Sequence, residues 1–159
     1  MPHQQKLMDI QISFIYRKNN NILKSVSATL KRFAAIMNDR ARVYVAFVDD
    51  PAIQKLNMQF RKRHKPTNVL SFEINQKDPE DGRIVMGEII ISVDTAAREA
   101  GKAGITLSER LEELFVHGYV HLLGYDHTRS RTDAMKMKNK EQILIKKIDM
   151  YKKKYNKRG

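Results

Sequence analysis

The sequence predicts one α+β domain, with about four strands in a mixed sheet packed against helices. Three observations lead there. Segments of alternating apolar and polar residues, the mark of half-buried strands, interleave with segments repeating every three or four residues, the mark of amphipathic helices. The 159 residues and 42% apolar content suit a single core and are too few for two full domains. No repeat or interdomain linker divides residues 1–159, so they are read as one domain whose basic C-terminal helical tail begins at about 146.

Taken in order, Ile10, Ile12 and Phe14 alternate with Asp9, Gln11 and Ser13, a strand that Asn19-Asn20-Asn21 breaks. Leu23, Val26, Leu30, Phe33 and Met37 then recur at helical spacing, in a helix expected to end near Asn38-Asp39. Arg42 to Val48 is β-branched and aromatic, a second strand. Asp50-Pro51 reads as an N-cap followed by proline in the first turn, and the short helix behind it should bury Ile53, Leu56 and Phe60. After the basic run Arg61 to Lys65, closed by Pro66, Val69 to Ile74 and Ile84 to Ser92 are strands, the second with Gly87 inside it. The turn-forming Gln76 to Arg83 joins them as a hairpin with a long tip. Asp94 is expected to cap an alanine-rich helix terminated by Gly101 and Gly104. Thr106 and Glu109 have capping-box spacing for the next helix, which sends Leu107, Leu111, Leu114 and Leu122 to the core and stops near Gly124. A last long helix runs from about Thr132 into the tail.

Composition narrows the chemistry. There is no cysteine, which excludes disulfide frameworks, Cys-based zinc modules, iron–sulfur centres and thiol nucleophiles, so any metal must rest on His, Asp or Glu. The absence fits a reducing compartment. No stretch approaches ~18 apolar residues, and Met1 to Asp9 has no apolar signal core. A cytoplasmic protein with no membrane contact is expected. Thirty Lys+Arg stand against 18 Asp+Glu, a formal charge of +12, and half of it lies in Lys146 to Gly159, where seven basic residues face the single acid Asp149. That excess points to a polyanion, nucleic acid ahead of anionic lipid.

Three of the five histidines lie between Val116 and Thr128. His117 and His121 are four apart on a predicted helix, so they share its inward face about 6 Å apart along the axis. Gly124 is placed to reverse the chain through a positive φ and bring His127 back beneath them. Three converging imidazoles make a metal site on a helix and the turn after it, suited to zinc and open to nickel, cobalt or copper. Three protein ligands leave a fourth position for water, which such an ion acidifies. The plainer alternative is three histidines packing a helix end, at the expense of burying unpaired imidazoles. Gly118 stands where zinc peptidases carry the glutamate of H-E-x-x-H, so that general base is missing. Gly118 either leaves room for a bulky substrate or permits a close helix–sheet contact.

The segment His117-Gly118-Tyr119-Val120-His121-Leu122-Leu123-Gly124-Tyr125-Asp126-His127 resembles the signature of the YbeY family of metal-dependent bacterial endoribonucleases. Asp49-Asp50, Leu56-Asn57, Arg61, Pro66-Thr67-Asn68-Val69-Leu70-Ser71-Phe72 and Gly87-Glu88-Ile89-Ile90-Ile91-Ser92 match its other landmarks, so the resemblance runs from about Ile10 to Leu144. It implies one zinc ion held by His117, His121 and His127, cleavage of single-stranded RNA, and roles in 16S rRNA 3′-end maturation and ribosome quality control. It also places Arg61 at the family's functional arginine. Val120 replaces a usual Leu, Asn68 a frequent Asp and Glu88 a usual Asp, and the last bears on any contact position 88 makes near the pocket.

Arg61 is the candidate catalytic residue, forking onto a phosphate whose charge develops during cleavage. Lys62, Arg63, His64 and Lys65 are candidate RNA contacts, against the alternative of a solvated loop. Lys152, Lys153 and Lys154 are candidates for RNA or ribosome contact in the tail, against a solvated helix end. Asp126 is read as a turn residue or an orienter of an imidazole rather than a fourth ligand. Glu141 falls on the apolar stripe Ala134, Met137, Leu144, Ile148, Tyr151 and Tyr155, where a carboxylate needs a buried partner, a basic side chain or a ligating histidine. The sequence therefore reads as a zinc-dependent endoribonuclease with RNA, rRNA and the ribosome as partners and no protein partner legible. Neither a general base nor a leaving-group acid is identified, and the RNA's own 2′-OH is as good a nucleophile as water. The alternative from another class is a non-catalytic ribosome-associated RNA-binding factor with a structural metal, which a fourth ligand from Asp126 or Glu141 would favour. A zinc peptidase ranks third.

Overall fold

The structure, a computed structural model, describes residues 8–37 and 40–157. Its elements are β1 (Asp9–Phe14), α1 (Asn20–Ile36), β2 (Ala41–Val48), α2 (Asp50–Arg61), β3 (Val69–Lys77), β4 (Ile84–Ser92), α3 (Val93–Ala103), α4 (Leu107–Leu122) and α5 (Arg131–Asn156). The four strands form one sheet in the order β1-β2-β4-β3. β1, β2 and β4 are parallel, and β3 returns antiparallel along the outer edge of β4, so the expected mixed sheet is present.

Side-chain alternation divides the interior. Val43, Val45 and Phe47 of β2 and Ile89 and Ile91 of β4 enter the main core with α1, α4 and α5. Ala46, Val48, Ile90 and Leu70 point to the opposite face, where Ile53 of α2 covers them in a second, smaller cluster. Helix α4 lies across the main face and is buried nearly all round, through Leu111, Leu114, Phe115, Val116, Tyr119, Val120 and Leu122. The capping box at Thr106 and Glu109 starts it as the spacing predicts.

Gly118 decides how closely α4 approaches the sheet. A Cβ there would stand 2.8 Å from Ile89 Cγ2 and 2.9 Å from Ser71 Oγ. The structure thus gives Gly118 the close helix–sheet contact, and the bare backbone sets the last turns of α4 against the β3 edge.

Several local expectations are corrected. Asp49, not Asp50, caps α2, accepting from the Ala52 amide. Asp50 sits inside the first turn, where its carboxylate accepts from Ser92, Thr95 and Arg98. Ser92 rather than Asp94 caps α3, while Asp94 accepts from the Tyr16 hydroxyl and the Asp50 amide. Both differences arise because polar residues cluster at the carboxyl ends of the strands, and the nearest oxygen to the open amides wins. Gly101 lies within α3, which only Gly104 ends. Phe60, expected inside, is exposed, since the second cluster ends before it extends beneath the last turn of α2. The hairpin tip shrinks to 78–83 because β3 continues to Lys77. The described part of α1 ends at Ile36 with Met37 as its cap, and Asn38-Asp39 lie outside the described residues.

Candidate metal centre and nucleic-acid pocket

The histidine cluster is built locally. His117 and His121 leave the last turns of α4 on one side. Gly124, at φ 98°, reverses the chain, with its amide donating to the His121 carbonyl at 2.9 Å and the Tyr125 amide to that of Val120 at 3.3 Å. Only a residue without a Cβ takes that φ at little cost, and the turn returns His127 to the other two. Ring centroids stand 4.8 Å (His117–His121), 5.3 Å (His121–His127) and 5.9 Å (His117–His127) apart. One ligand nitrogen from each lies within 4.8 Å of the others. Nitrogens on a tetrahedral zinc are about 3.3 Å apart, a difference that small side-chain rotations close. Burial first, then repulsion from His117 and His127, hold the His121 imidazole below its usual pKa, which favours the neutral form a metal needs. The donor set fits a divalent ion.

Glu141 meets its expectation. From α5 its Oε1 stands 2.8 Å from His117 Nδ1. A carboxylate only accepts, so Nδ1–H donates and the Nε2 lone pair is left free. Asp126 is a turn residue, its Oδ1 accepting from the Thr128 amide at 2.9 Å and hydroxyl at 2.7 Å. Those two hydrogen bonds also hold its carboxyl below the usual range. Both carboxylates are thus occupied away from the point where the imidazoles meet, and the three-histidine group has no fourth protein member among the described residues.

Two adjoining cavities open beside the cluster, of about 580 Å³ and 360 Å³, with His121, Ser71, Asp126 and Arg61 lining both. Arg61, the last residue of α2, reaches them because α2 ends at the β3 edge. Lys62 takes the left-handed conformation at φ 57° and turns the chain there. The buried Asn57 fastens the loop, donating Nδ2 to the Lys65 carbonyl at 2.8 Å. Arg63 lines the larger cavity. His64 faces a separate cavity with Pro51 and Met58 on the outer side of α2, and Lys62 and Lys65 line neither of the histidine cavities. Glu88 lines neither as well, so its extra methylene does not disturb the pocket.

The link from Asn68 through Glu99 to Arg110, and the place of Glu73, had no signal in the sequence. Asn68 at the cavity wall donates to Glu99 at 3.3 Å, and Arg110, bound to the same Glu99 oxygen at 3.0 Å, supports it from α4. Glu73 and Asp126 are the carboxylates lining the smaller cavity, and nothing marks Glu73 in a sequence whose strand reads simply as β structure. In the tail, Lys152 forms a 2.6 Å ion pair with the buried Glu112, whose carboxyl burial pushes up while the lysine charge pulls it down. Arg32 stacks 3.8 Å over the Tyr155 ring. Lys153 and Lys154 are exposed, some 18 Å along the helix from Glu141, and so stand outside the cavity.

The sequence model of the family described as Endoribonuclease YbeY matches residues 4–149. Endoribonuclease YbeY of Moorella thermoacetica is 38% identical over 138 residues, covering 81% of this chain and 88% of that protein. Endoribonuclease YbeY of Syntrophus aciditrophicus is 35% identical over 145 residues, 90% of this chain and 84% of that one. The solution structure of TM1509 from Thermotoga maritima superposes with a TM-score of 0.63 at 26% identity, covering 92% of this chain and 93% of that one.

Proposed function

The chain belongs to the endoribonuclease YbeY family, and we propose from this that it is a single-strand-specific, zinc-dependent endoribonuclease acting in 16S rRNA 3′-end maturation and 70S ribosome quality control. An RNA-cleaving hydrolase is what the family membership supports. The observation that carries the reading is that three imidazoles and Arg61, 56 residues before the first of them, border one cavity. The +12 charge supports RNA, rRNA and the ribosome as partners. Among the described residues no helix is long and apolar enough to cross a membrane. We place the protein in the cytoplasm.

His117, His121 and His127 would hold the ion, with Glu141 fixing the His117 ring through Nδ1. Bound there, a divalent ion supplies Lewis acidity toward phosphoryl oxygens and acidifies water. Arg61 offers its fork of N–H donors to the scissile phosphate and stabilises the charge that grows on its oxygens. Arg63 holds a neighbouring phosphate. Ser71, which donates weakly to the Gly118 carbonyl at 3.4 Å, keeps the β3 wall against α4.

The test combines metal analysis with cleavage of an unstructured RNA by wild type, His121→Ala and Arg61→Ala, with and without chelator. Cleavage should vanish in His121→Ala and with chelator, and kcat/KM should fall about 10²–10³-fold in Arg61→Ala. A 2′,3′-cyclic phosphate product identifies the 2′-OH as nucleophile, and a 5′-phosphate identifies water. Undiminished cleavage by metal-free His121→Ala protein would overturn the reading.

A further inference from the structure

Phe60 sits at an unusual point. It continues the stripe of Ile53 and Leu56 on α2, yet it is 56% exposed where Ile53 is fully buried. Its ring centroid lies 4.9 Å from that of Phe72, tilted by 59°. Phe72 packs on the second cluster from β3, so it supports Phe60 from below while much of the Phe60 ring remains in water. Arg61, the next residue, lines both histidine cavities. Ser71 and Glu73, on either side of Phe72, line the smaller cavity from the opposite face of the same strand. β3 is an edge strand. A chain leaving the cavity past Arg61 therefore crosses one strand to reach the Phe60 ring.

We infer that Phe60, backed by Phe72, is a stacking platform for a base of the single-stranded RNA next to the phosphate that Arg61 holds. The inference rests on the endoribonuclease reading and extends it to a second contact. Single strands are held where a basic track carries the phosphates and aromatic faces take the bases. Arg61, Lys62 and Arg63 follow Phe60 in the chain, and Arg61 and Arg63 line the neighbouring cavity, a concentration of positive charge that favours a nucleic acid over an apolar protein partner as the occupant of the ring.

The chain has no tryptophan, so Phe60→Trp creates a single indole reporter. Titration with an unstructured ten-nucleotide RNA should quench its emission, with the midpoint seen by wild-type fluorescence anisotropy, and an abasic RNA of equal length should not. Phe60→Leu, which keeps bulk without a flat ring, should bind roughly five- to a hundredfold more weakly, and Phe60→Tyr should bind normally. An unquenched indole, equal quenching by the abasic RNA, or unchanged affinity of Phe60→Leu would overturn the inference while leaving the endoribonuclease reading intact. Failure of wild-type protein to bind the RNA would overturn both.

Discussion

Substituting Gly118 by alanine separates packing from substrate clearance. The added Cβ would lie 2.8 Å from Ile89 Cγ2 and 2.9 Å from Ser71 Oγ, about 1 Å inside comfortable contact. The Ser71 hydroxyl can rotate away. Ile89 cannot, because it is fully buried and β-branched, with its χ1 fixed by neighbours. Helix α4 must therefore lift from the sheet. Overpacking of this kind destabilises by about 1–3 kcal/mol, and alanine's better helix propensity returns up to about 1 kcal/mol. Because the clash is with the rigid Ile89, the overpacking falls in the upper part of that range, and a net loss of about 1–2 kcal/mol lowers Tm by about 2–8 °C for a chain of this size. It also lowers the urea midpoint by about 0.5–1 M at an unchanged slope. Both are measured with chelator present, so that metal binding does not contribute. A midpoint equal to or above wild type, with cleavage lost, would refute the packing role and make Gly118 a clearance for substrate.

Glu141→Gln and Glu141→Ala should weaken metal binding about 10–100-fold, read by competition with a chromophoric chelator, because the His117 ring loses the carboxylate that orients it. Asp50→Asn should reduce stability at pH 7 by about 1–3 kcal/mol, as a hydrogen-bonded charge is removed. Burial raises the Asp50 carboxyl, but hydrogen bonds from Thr95 and Ser92 and the Arg98 charge hold it below the usual carboxylate pKa. Its contribution is thus present above the unfolded pKa near 3.8 and lost as pH falls through the lower folded value. Wild-type and Asp50→Asn unfolding curves should converge in strong acid, and a constant gap down to pH 2 would contradict this. Exchanging Lys153 and Lys154 together for glutamine should reduce the slope of log affinity against log salt by up to about 2 on RNA without altering Tm. An unchanged slope would make the tail a solvated helix end. Truncation after Met150 is a poorer test, since it also strands Glu112 without Lys152.

The fold and the histidine cluster were legible because their information is local. Alternation in β2 and the Thr106–Glu109 spacing are written within a few residues, and so is the approach of His127 through Gly124. Glu141 is legible because a carboxylate on an apolar stripe demands a partner, and a ligating histidine, His117, is that partner. What escaped reading depends on tertiary contact. The inward stripe of α2 says nothing about where the covering cluster ends, so periodicity alone predicts Phe60 inside. The split of Asp49, Asp50, Ser92 and Asp94 between capping and cross-linking depends on which oxygen lies nearest in three dimensions. Charge runs carry no direction, which is why Arg61 and Arg63 reach the cavity while His64 turns to the other side of α2 and Lys152 joins Glu112.

The three imidazoles belong to a segment of eleven consecutive residues, 117–127. Closing so short a loop costs little chain entropy, whereas Arg61 joins the site only when the sheet is assembled. An ion that the histidines hold will therefore also find a partial site in the unfolded chain wherever a fragment of α4 forms. Ligand linkage gives full stabilisation only for a ligand that ignores the unfolded state. The ion should accordingly raise the melting temperature by less than its affinity for the native protein implies, and RNA, whose proposed cavity contacts at Arg61 and Arg63 lie more than fifty residues from the histidines, should raise it by nearly all that its own affinity implies.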